Sequence, residues 1–317
     1  MPALDISIAG ELNLDLILYG LPQTLPTERE LLANGFAMTL GSSSAILAHN
    51  LAVLGTEVGF VTKVGDDALG RIALERLAES GADLSCVVRA PGIGSGVTLI
   101  LPHEHERHIF TYPGTIFELR FDDLDLEYLS SARHFHMSSL FLHRAMYEQI
   151  PELFRLMKSK GLSTSLDTND DPDDQWDGPL RATLPYVDML LPNEREVLKI
   201  ARAAKLEDAI SFLSEKVTIV VVKLGAEGAM AARGRERFKS PAVNVEVVDP
   251  IGAGDSFNAG FLHKYLAGAG LAECLHYGNL AGAFSTTASG GTEAFRDSVK
   301  MKGFFHRRFG VCQNYNQ

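Results

Sequence analysis

Cysteine is scarce in this chain, with Cys86, Cys274 and Cys312 as the only three among 317 residues. An odd number of widely spaced thiols excludes a disulfide framework and fits no zinc motif, so we expect buried or incidental thiols. A long apolar run is also missing, because no segment reaches the roughly 18 uncharged apolar residues that cross a bilayer. The first ten residues lack the basic and apolar regions of a secretory signal, so we expect a soluble, cytoplasmic protein without a membrane partner.

Positive charge is in the minority. The chain has 29 Lys and Arg against 40 Asp and Glu, which gives a formal net charge of −11 at pH 7. Nucleic acids bind to basic surfaces, so no nucleic-acid partner is expected. Internal repeats and low-complexity segments are missing as well. What the chain does have is apolar content, 46% of its residues, which suffices for the large core of one α/β domain spanning residues 1–317.

Strand-length apolar runs alternate with longer helical patterns along most of the chain. The run at 6–9 precedes a helical pattern at 44–54, and the run at 187–191 precedes one at 194–204. This alternation predicts a mostly parallel central sheet covered by helices on both faces, which is a three-layer αβα sandwich. Ligands of such sheets bind at the carboxyl ends of the strands.

Two β-rich runs break the alternation. Residues 97–101 and 107–112 flank a polar turn and predict a hairpin. With the runs at 16–18 and 36–40 they are expected to form a small separate sheet. The turn carries His103, Glu104, His105 and Glu106, which we interpret as solvated polar residues rather than metal ligands.

The most informative stretch joins a strand-like apolar end to a helix through Gly252, Ala253 and Gly254. Small residues let the backbone approach a ligand closely, and the free N–H groups at a helix start attract an anion such as phosphate. Asp255 follows directly and places a proton acceptor beside that anion, as phosphoryl transfer to an alcohol requires. Taken alone, such a turn is more typical of an ordinary strand-to-helix connection, in which the acid complements the helix dipole.

Five further stretches match one family in the same order along the chain. They are GELNLD at 10–15, GSSSAILAHNLAVLG at 41–55, VGDDALG at 64–70, PNERE at 192–196 and KLGAEG at 223–228. Together with the turn at 252–255 they resemble the ribokinase-like (PfkB-type) carbohydrate kinases over residues 5 to about 295. The resemblance implies the ribokinase-like fold in one domain, with a small β-sheet lid built from about 11–40 and 92–118.

The resemblance also implies roles for individual residues. The expected anion hole and catalytic base are Gly252, Ala253, Gly254 and Asp255. The expected acceptor-binding residues are Asn13, Asp15, Gly41, Ser42 and Ser43. The expected nucleotide-binding residues are Asn193, Glu196, Lys223, Gly225, Gly228 and Asn279. The implied cofactors are ATP and Mg²⁺, the latter bound through water near Asn193 and Glu196, with Asp249 and Ile251 as a candidate loop for a monovalent cation such as K⁺.

Other readings of some of these residues stay open. By position alone, Lys223 at a strand end is more typical of a surface lysine than of a phosphate ligand. Spacing alone makes Asn279 equally typical of an amide on the surface of a helix. Asp167 and Asn169 resemble the family's Asp-x-Asn at the cleft. Two positions depart from the family pattern: Ile46 replaces an Asn that contacts the sugar, and Pro250 replaces a common Thr.

The function expected from these features is ATP-dependent transfer of the γ-phosphoryl group to a hydroxyl of a small sugar or related polyol. A nucleoside kinase on the same fold is an alternative, because without the usual Asn at Ile46 one sugar contact that would argue against it is missing. A catalytically silent sugar or nucleotide sensor is another, and the intact Asp255 argues against it. We also expect a homodimer formed through the lid, because a small sheet with open edges is marginal alone.

Overall fold

The computed structural model describes residues 4–103 and 106–312, with side chains through residue 309. Glu104 and His105 of the predicted turn, and the side chain of Cys312, lie outside the described residues. The strands are β1 (Ile6–Ala9), β2 (Asn13–Tyr19), β3 (Gly35–Leu40), β4 (Val58–Val61), β5 (Lys63–Gly65), β6 (Val88–Ala90), β7 (Gly96–His103), β8 (Glu106–Tyr112), β9 (His134–Ser138), β10 (Ser163–Asp167), β11 (Met189–Leu190), β12 (Ile219–Lys223), β13 (Ala229–Arg233) and β14 (Glu236–Ser240). The α-helices are α1 (Ser43–Val53), α2 (Ala68–Ala78), α3 (Leu126–Ser130), α4 (Ile150–Ser159), α5 (Pro179–Thr183), α6 (Glu194–Ala201), α7 (Leu206–Ser214), α8 (Ala253–Leu266), α9 (Leu271–Ser285), α10 (Glu293–Arg296) and α11 (Ser298–Cys312).

Eight strands form the central sheet, in the order β14-β13-β12-β11-β10-β9-β1-β4. All pairs from β4 to β12 are parallel, which confirms the predicted mostly parallel sheet. The edge pair β13 and β14 is antiparallel and was not predicted from the sequence. Because β13 is rich in alanine, its intrinsic strand preference is low, and pairing with β12 imposes the strand.

Helices cover both faces of this sheet, as predicted. Strand β12 shows the alternation: Val220 and Val222 pack with the core that α4, α6 and α7 cover, whereas Ile219 and Val221 pack with the core under α1, α2 and α8. Cys274 is buried in the second of these cores, and Cys86 is partly buried. In the part of the chain that the structure describes, no helix is long and apolar enough to cross a membrane.

The predicted small sheet is also present, in the order β3-β2-β7-β8. Pairs β2–β3 and β7–β8 are antiparallel, while β2–β7 is parallel. One face of this small sheet approaches the carboxyl end of the central sheet, where Ile17 and Ile100 pack against Ile251. The edge strand β8 is exposed along its whole length.

A row of polar side chains crosses the buried centre of the main sheet between β9 and β10. His134 contacts Ser163 Oγ and Ser165 Oγ, each at 2.7 Å from a ring nitrogen. His136 in turn contacts Ser165 Oγ at 2.7 Å and Ser138 Oγ at 2.9 Å. Both histidines are fully buried, and burial lowers the pKa of each, to about 3 for His134. The serines satisfy two neutral imidazole rings in an otherwise apolar layer.

Candidate active site

The anion turn, residues 252–255, lies where the chain enters α8. Gly252 has φ +72°, and a Cβ there would lie 2.4 Å from the Gly291 Cα, so only glycine fits without strain. The Ala253 N–H donates to the Pro250 carbonyl at 3.3 Å. The N–H groups of Gly254 and Asp255 lie in the first helical turn, where no helix carbonyl can accept from them. These two groups are therefore free of helix partners and suited to donate to an anion.

Asp255 lies half-buried at the start of this helix. Burial raises the pKa of its carboxyl to about 6, although the Lys223 ammonium and the nearby Ser43 hydroxyl act in the opposite direction. A carboxyl with this pKa is ionised near neutral pH and accepts a proton more readily than an ordinary aspartate. The position and the pKa both suit a general base.

The predicted acceptor residues meet at the start of β2. The Asn13 Nδ2 donates to Asp15 Oδ1 at 3.2 Å and to Thr98 Oγ1 at 3.1 Å. A Cβ on Gly41 would lie 2.1 Å from Asp15 Oδ1, so the absent side chain at Gly41 makes room for this carboxyl. Burial raises the Asp15 pKa to about 7, and the Asp255 charge adds to the effect.

Ser42 and Ser43 open α1 in different ways. The Ser42 hydroxyl donates to the Glu11 carbonyl at 2.6 Å and accepts from the Ala45 N–H at 3.0 Å, so it caps the helix. Ser43 instead lies close enough to Asp255 for its hydroxyl to lower the pKa of that carboxyl. Among the two serines, Ser43 therefore adjoins the candidate base.

A buried ion pair lies beside the anion turn. The Lys223 ammonium, at the end of β12, pairs with the Asp167 carboxylate at the end of β10. The Asn258 Nδ2, one helical turn after Asp255, donates to the same Asp167 oxygen at 2.5 Å. Burial tends to lower the Lys223 pKa, but the charges of Asp167 and Glu196 outweigh it and raise the pKa. The ammonium therefore stays charged, 3.7 Å from the place of a Cβ on Gly254.

Asn193 and Glu196 form a capping box at the start of α6. The Glu196 carboxylate accepts from the Asn193 N–H at 2.8 Å and from Asn193 Nδ2 at 2.6 Å, while Asn193 Oδ1 accepts from the Glu196 N–H at 2.9 Å. Burial raises the Glu196 pKa to about 7, with the nearby Asp167 charge adding to the shift. Asn193 thus orients the Glu196 carboxylate toward the Lys223 end of the cleft.

A cavity of about 420 Å³ opens next to the anion turn. It lies between α8, α9 and the loop after β12, and it has a mostly apolar wall. Predicted nucleotide residues that line it are Lys223, Gly225, Gly228 and Asn279. The Asn279 Nδ2 donates to the Ser240 and Pro241 carbonyls at 3.0 Å each, so this amide also ties α9 to the chain after β14.

The candidate cation loop is held by protein donors. The Asp249 carboxylate accepts from the Tyr19 hydroxyl at 3.0 Å, from the Ile251 N–H at 2.9 Å and from the Gly290 N–H at 3.0 Å. Across the described ranges, no group of three His, Cys, Asp or Glu side chains could hold a metal ion. A monovalent cation at this loop would therefore depend largely on backbone oxygens.

Sequence reasoning missed two buried residues of this site. Glu11 accepts from the Ser44 hydroxyl at 2.6 Å and from the Ser139 hydroxyl at 2.8 Å, which joins α1 to the end of β9. Asn258 was missed although its spacing from Asp255, three residues on a helix, places both on neighbouring parts of one face. Asn169, expected at the cleft, accepts from the N–H of Ser139, the same residue whose hydroxyl donates to Glu11, at 2.9 Å.

A glycine turn at a helix start, an adjoining carboxyl and a partly buried lysine at the strand ends of an αβα sheet are an arrangement suited to phosphoryl transfer. Residues 4–297 match the pfkB family carbohydrate kinases, and the chain belongs to this family. It is therefore a carbohydrate kinase, which confirms the family, the fold class and the enzyme class expected from the sequence.

Similar proteins agree with this assignment. The chain is 29% identical to an uncharacterized sugar kinase of Archaeoglobus fulgidus, over 78% of this chain and 99% of that protein. It is 30% identical to a cytidine kinase of Thermococcus kodakarensis, over 87% of this chain and 93% of that protein. The crystal structure of a putative ribokinase II from E. coli superposes with a TM-score of 0.85 and 26% identity, over 96% of this chain and 99% of that one. The crystal structure of a putative ribokinase II from E. coli in complex with ATP and Mg²⁺ superposes with a TM-score of 0.82 and 25% identity, over 96% of this chain and 99% of that one.

Proposed function

We propose that this carbohydrate kinase transfers the γ-phosphoryl group of ATP to a hydroxyl of a sugar or related polyol, with Asp255 as the general base. The position of Asp255 carries the proposal. Its carboxyl follows the anion turn directly and is within electrostatic reach of the acceptor residue Asp15, whose pKa its charge raises, and of the Lys223 ammonium, which adjoins Gly254. A base in this place is within reach of both reacting groups.

In the proposed step Asp255 accepts the proton of the acceptor hydroxyl as that oxygen forms its bond to phosphorus. The bond between phosphorus and the β–γ bridging oxygen breaks, and its electron pair leaves with ADP. The N–H groups of Gly254 and Asp255 donate to the transferring oxygens, and the Lys223 ammonium offsets their charge. Asp15 accepts from acceptor hydroxyls or donates to them, depending on its protonation state.

The residues present fit ATP and magnesium. The apolar cavity beside Gly254 suits a purine ring, and a similar protein binds ATP with Mg²⁺. The oxygens Asn258 Oδ1 and Thr168 Oγ1 are buried near Asp167 and have no hydrogen-bond partner among the described residues. These two oxygens and the Glu196 carboxylate at the start of α6 are the groups that would hold magnesium through water. The ion would supply charge neutralisation on the phosphate oxygens.

A nucleoside acceptor is the second candidate, since a cytidine kinase is among the similar proteins. Ile46 bears on this choice. Its side chain is buried and lies against Gly252 and Gly291, with Cδ1 2.7 Å from the place of a Cβ on Gly291. Position 46 therefore supports the anion turn and offers no polar contact to a sugar. A silent sensor is disfavoured, because Asp255, Lys223 and the turn form a complete transfer site.

The small sheet is proposed to act as a lid over the acceptor and as a dimer contact. Four of its large apolar side chains are more than half exposed: Phe36, Ile109, Phe110 and Tyr112. An apolar, exposed edge strand is stabilised by pairing or cover, which a second subunit would provide. K⁺ activation at the Asp249 loop is proposed as well, to be tested by comparing rates in K⁺ and Na⁺ salts.

The test is a screen of phosphoryl transfer from ATP to sugars, polyols and nucleosides. With the best acceptor, Asp255→Asn should lower the rate at saturation by about two to four powers of ten while ATP affinity stays nearly unchanged. The rate of the unchanged protein should fall as pH drops through about 6, where Asp255 takes up a proton. Asp208→Asn, which removes an exposed acid of α7, is the matched control. A transfer rate of Asp255→Asn within a few-fold of the wild-type rate would contradict the assignment of Asp255 as the general base.

A further inference from the structure

One cation on the acceptor side of the cleft has no part in the steps above. Arg107 lies on β8, the edge strand of the small sheet. In the strand register Asp15 is opposite Thr98, and Thr98 is opposite Thr111. Because partners in register share a face and side chains alternate, Arg107, four residues before Thr111, lies on the face that carries Asp15.

That face looks toward the anion turn. Ile17 and Ile100 pack against Ile251, and the Tyr19 hydroxyl donates to Asp249. Arg107 lies on the same face of the sheet, on the exposed edge strand β8. Burial raises the pKa of Asp15, and the positive charge of Arg107 reduces part of this increase. The guanidinium therefore lies within electrostatic reach of Asp15.

Arg107 makes no ion pair within 4 Å in residues 4–103 and 106–309. A neutral sugar has no charged group that the Arg107 guanidinium could bind. An acidic acceptor, by contrast, would meet the carboxyls of Asp15 and Asp255 and would need a positive group to offset them. The planar guanidinium matches carboxylate and phosphate oxygens in a bidentate geometry.

We propose that the acceptor is an anionic sugar derivative, and that Arg107 binds its carboxylate or phosphate at the end remote from the hydroxyl that is phosphorylated. The inference rests on the proposed kinase function and narrows its substrate class. Sugar acids and sugar phosphates share the chemistry that Arg107 would bind, so both are arms of the test.

The experiment compares 2-dehydro-3-deoxygluconate, ribose 1-phosphate and neutral ribose as acceptors, by steady-state kinetics and by calorimetry. Wild type should favour one of the charged acceptors. Arg107→Gln should raise KM and Kd for that acceptor by about ten- to a hundred-fold, the size of a charge-assisted hydrogen bond, and leave KM for ATP and for ribose unchanged. Arg107→Lys keeps the positive charge but loses the planar guanidinium. Its KM and Kd for the charged acceptor should lie between those of wild type and Arg107→Gln.

Arg235→Gln is the matched control. It removes the same charge from the exposed turn after β13, which runs away from the Lys223 end of the sheet, and should change nothing. A wild type that prefers ribose, or an Arg107→Gln variant that loses ribose and charged acceptors equally, would overturn the proposal. A changed molar mass of Arg107→Gln in light scattering would also overturn it, since Arg107 would then be a subunit contact.

The proposed kinase function and the proposed anionic acceptor can be refuted separately. Transfer to neutral acceptors that does not depend on Arg107 would leave the kinase function standing and remove the anionic acceptor. Arg107-dependent binding of a charged sugar in calorimetry, without any transfer from ATP, would support the anion site and remove the proposed reaction.

Discussion

The buried histidines of β9 predict an acid-sensitive contribution to stability that a single substitution isolates. His134 has its pKa lowered from 6.5 to about 3 because it is buried, and the His136 pKa is lowered for the same reason. The unfolded chain therefore binds protons below pH 6.5 that the folded chain does not. The contribution of the neutral histidines to the free energy of unfolding is therefore complete above pH 6.5. It is lost progressively as the pH falls toward the folded-state pKa.

For His134 the loss is about 1.4 kcal/mol per pH unit below 6.5, or about 2.7 kcal/mol over two units. Three carboxyls act in the opposite direction. Asp15, Glu196 and Asp255 have raised folded-state pKa values, so their contribution to stability grows as the pH falls toward their unfolded values. The pH profile of the wild type alone therefore mixes both signs, and only a difference between variants isolates the histidine.

The assay is urea unfolding of wild type and His134→Gln between pH 7.5 and 4.5. The difference in free energy of unfolding should be largest at pH 7.5 and should shrink by about 1.4 kcal/mol per unit below 6.5. His306→Gln, at an exposed position of α11, should show no such trend. A His134→Gln cost that stays constant across this range would refute the reasoning, because His134 would then not exclude a proton in the folded state.

Three further predictions concern the cleft and the small sheet. Asp15→Ala should weaken acceptor binding by about ten- to a hundred-fold and leave ATP binding intact, and calorimetry with unchanged acceptor affinity would contradict it. Gly252→Ala should cost about 1–3 kcal/mol of stability and most of the transfer rate, because Gly252 has a positive φ and lies close to the Gly291 backbone. Gly268→Ala, also at positive φ but in open space, is the control and should keep the wild-type transfer rate. Phe110→Asp should give monomers in light scattering at micromolar concentration, and a wild type that is itself monomeric would contradict the dimer.

The family and the fold class followed from the sequence, because their signals are local. The alternation of short apolar runs with helical patterns predicts the parallel sheet, and the glycines at 252 and 254 followed by Asp255 predict a tight turn at the start of a helix. Even the small sheet was predictable, since the hairpin around residues 102–106 breaks the alternation. Each of these features depends on residues that are neighbours along the chain.

Only the tertiary structure decided which side chains meet. Lys223, Asp167 and Asn258 come from two strands and a helix that are far apart in sequence, and the strand order brings their ends together. Ile46 packs against Gly291, and Arg107 shares a face with Asp15, through register and packing between distant elements. Periodicity along a chain determines which face a residue takes, whereas its partner across the cleft depends on how the strands are ordered and staggered.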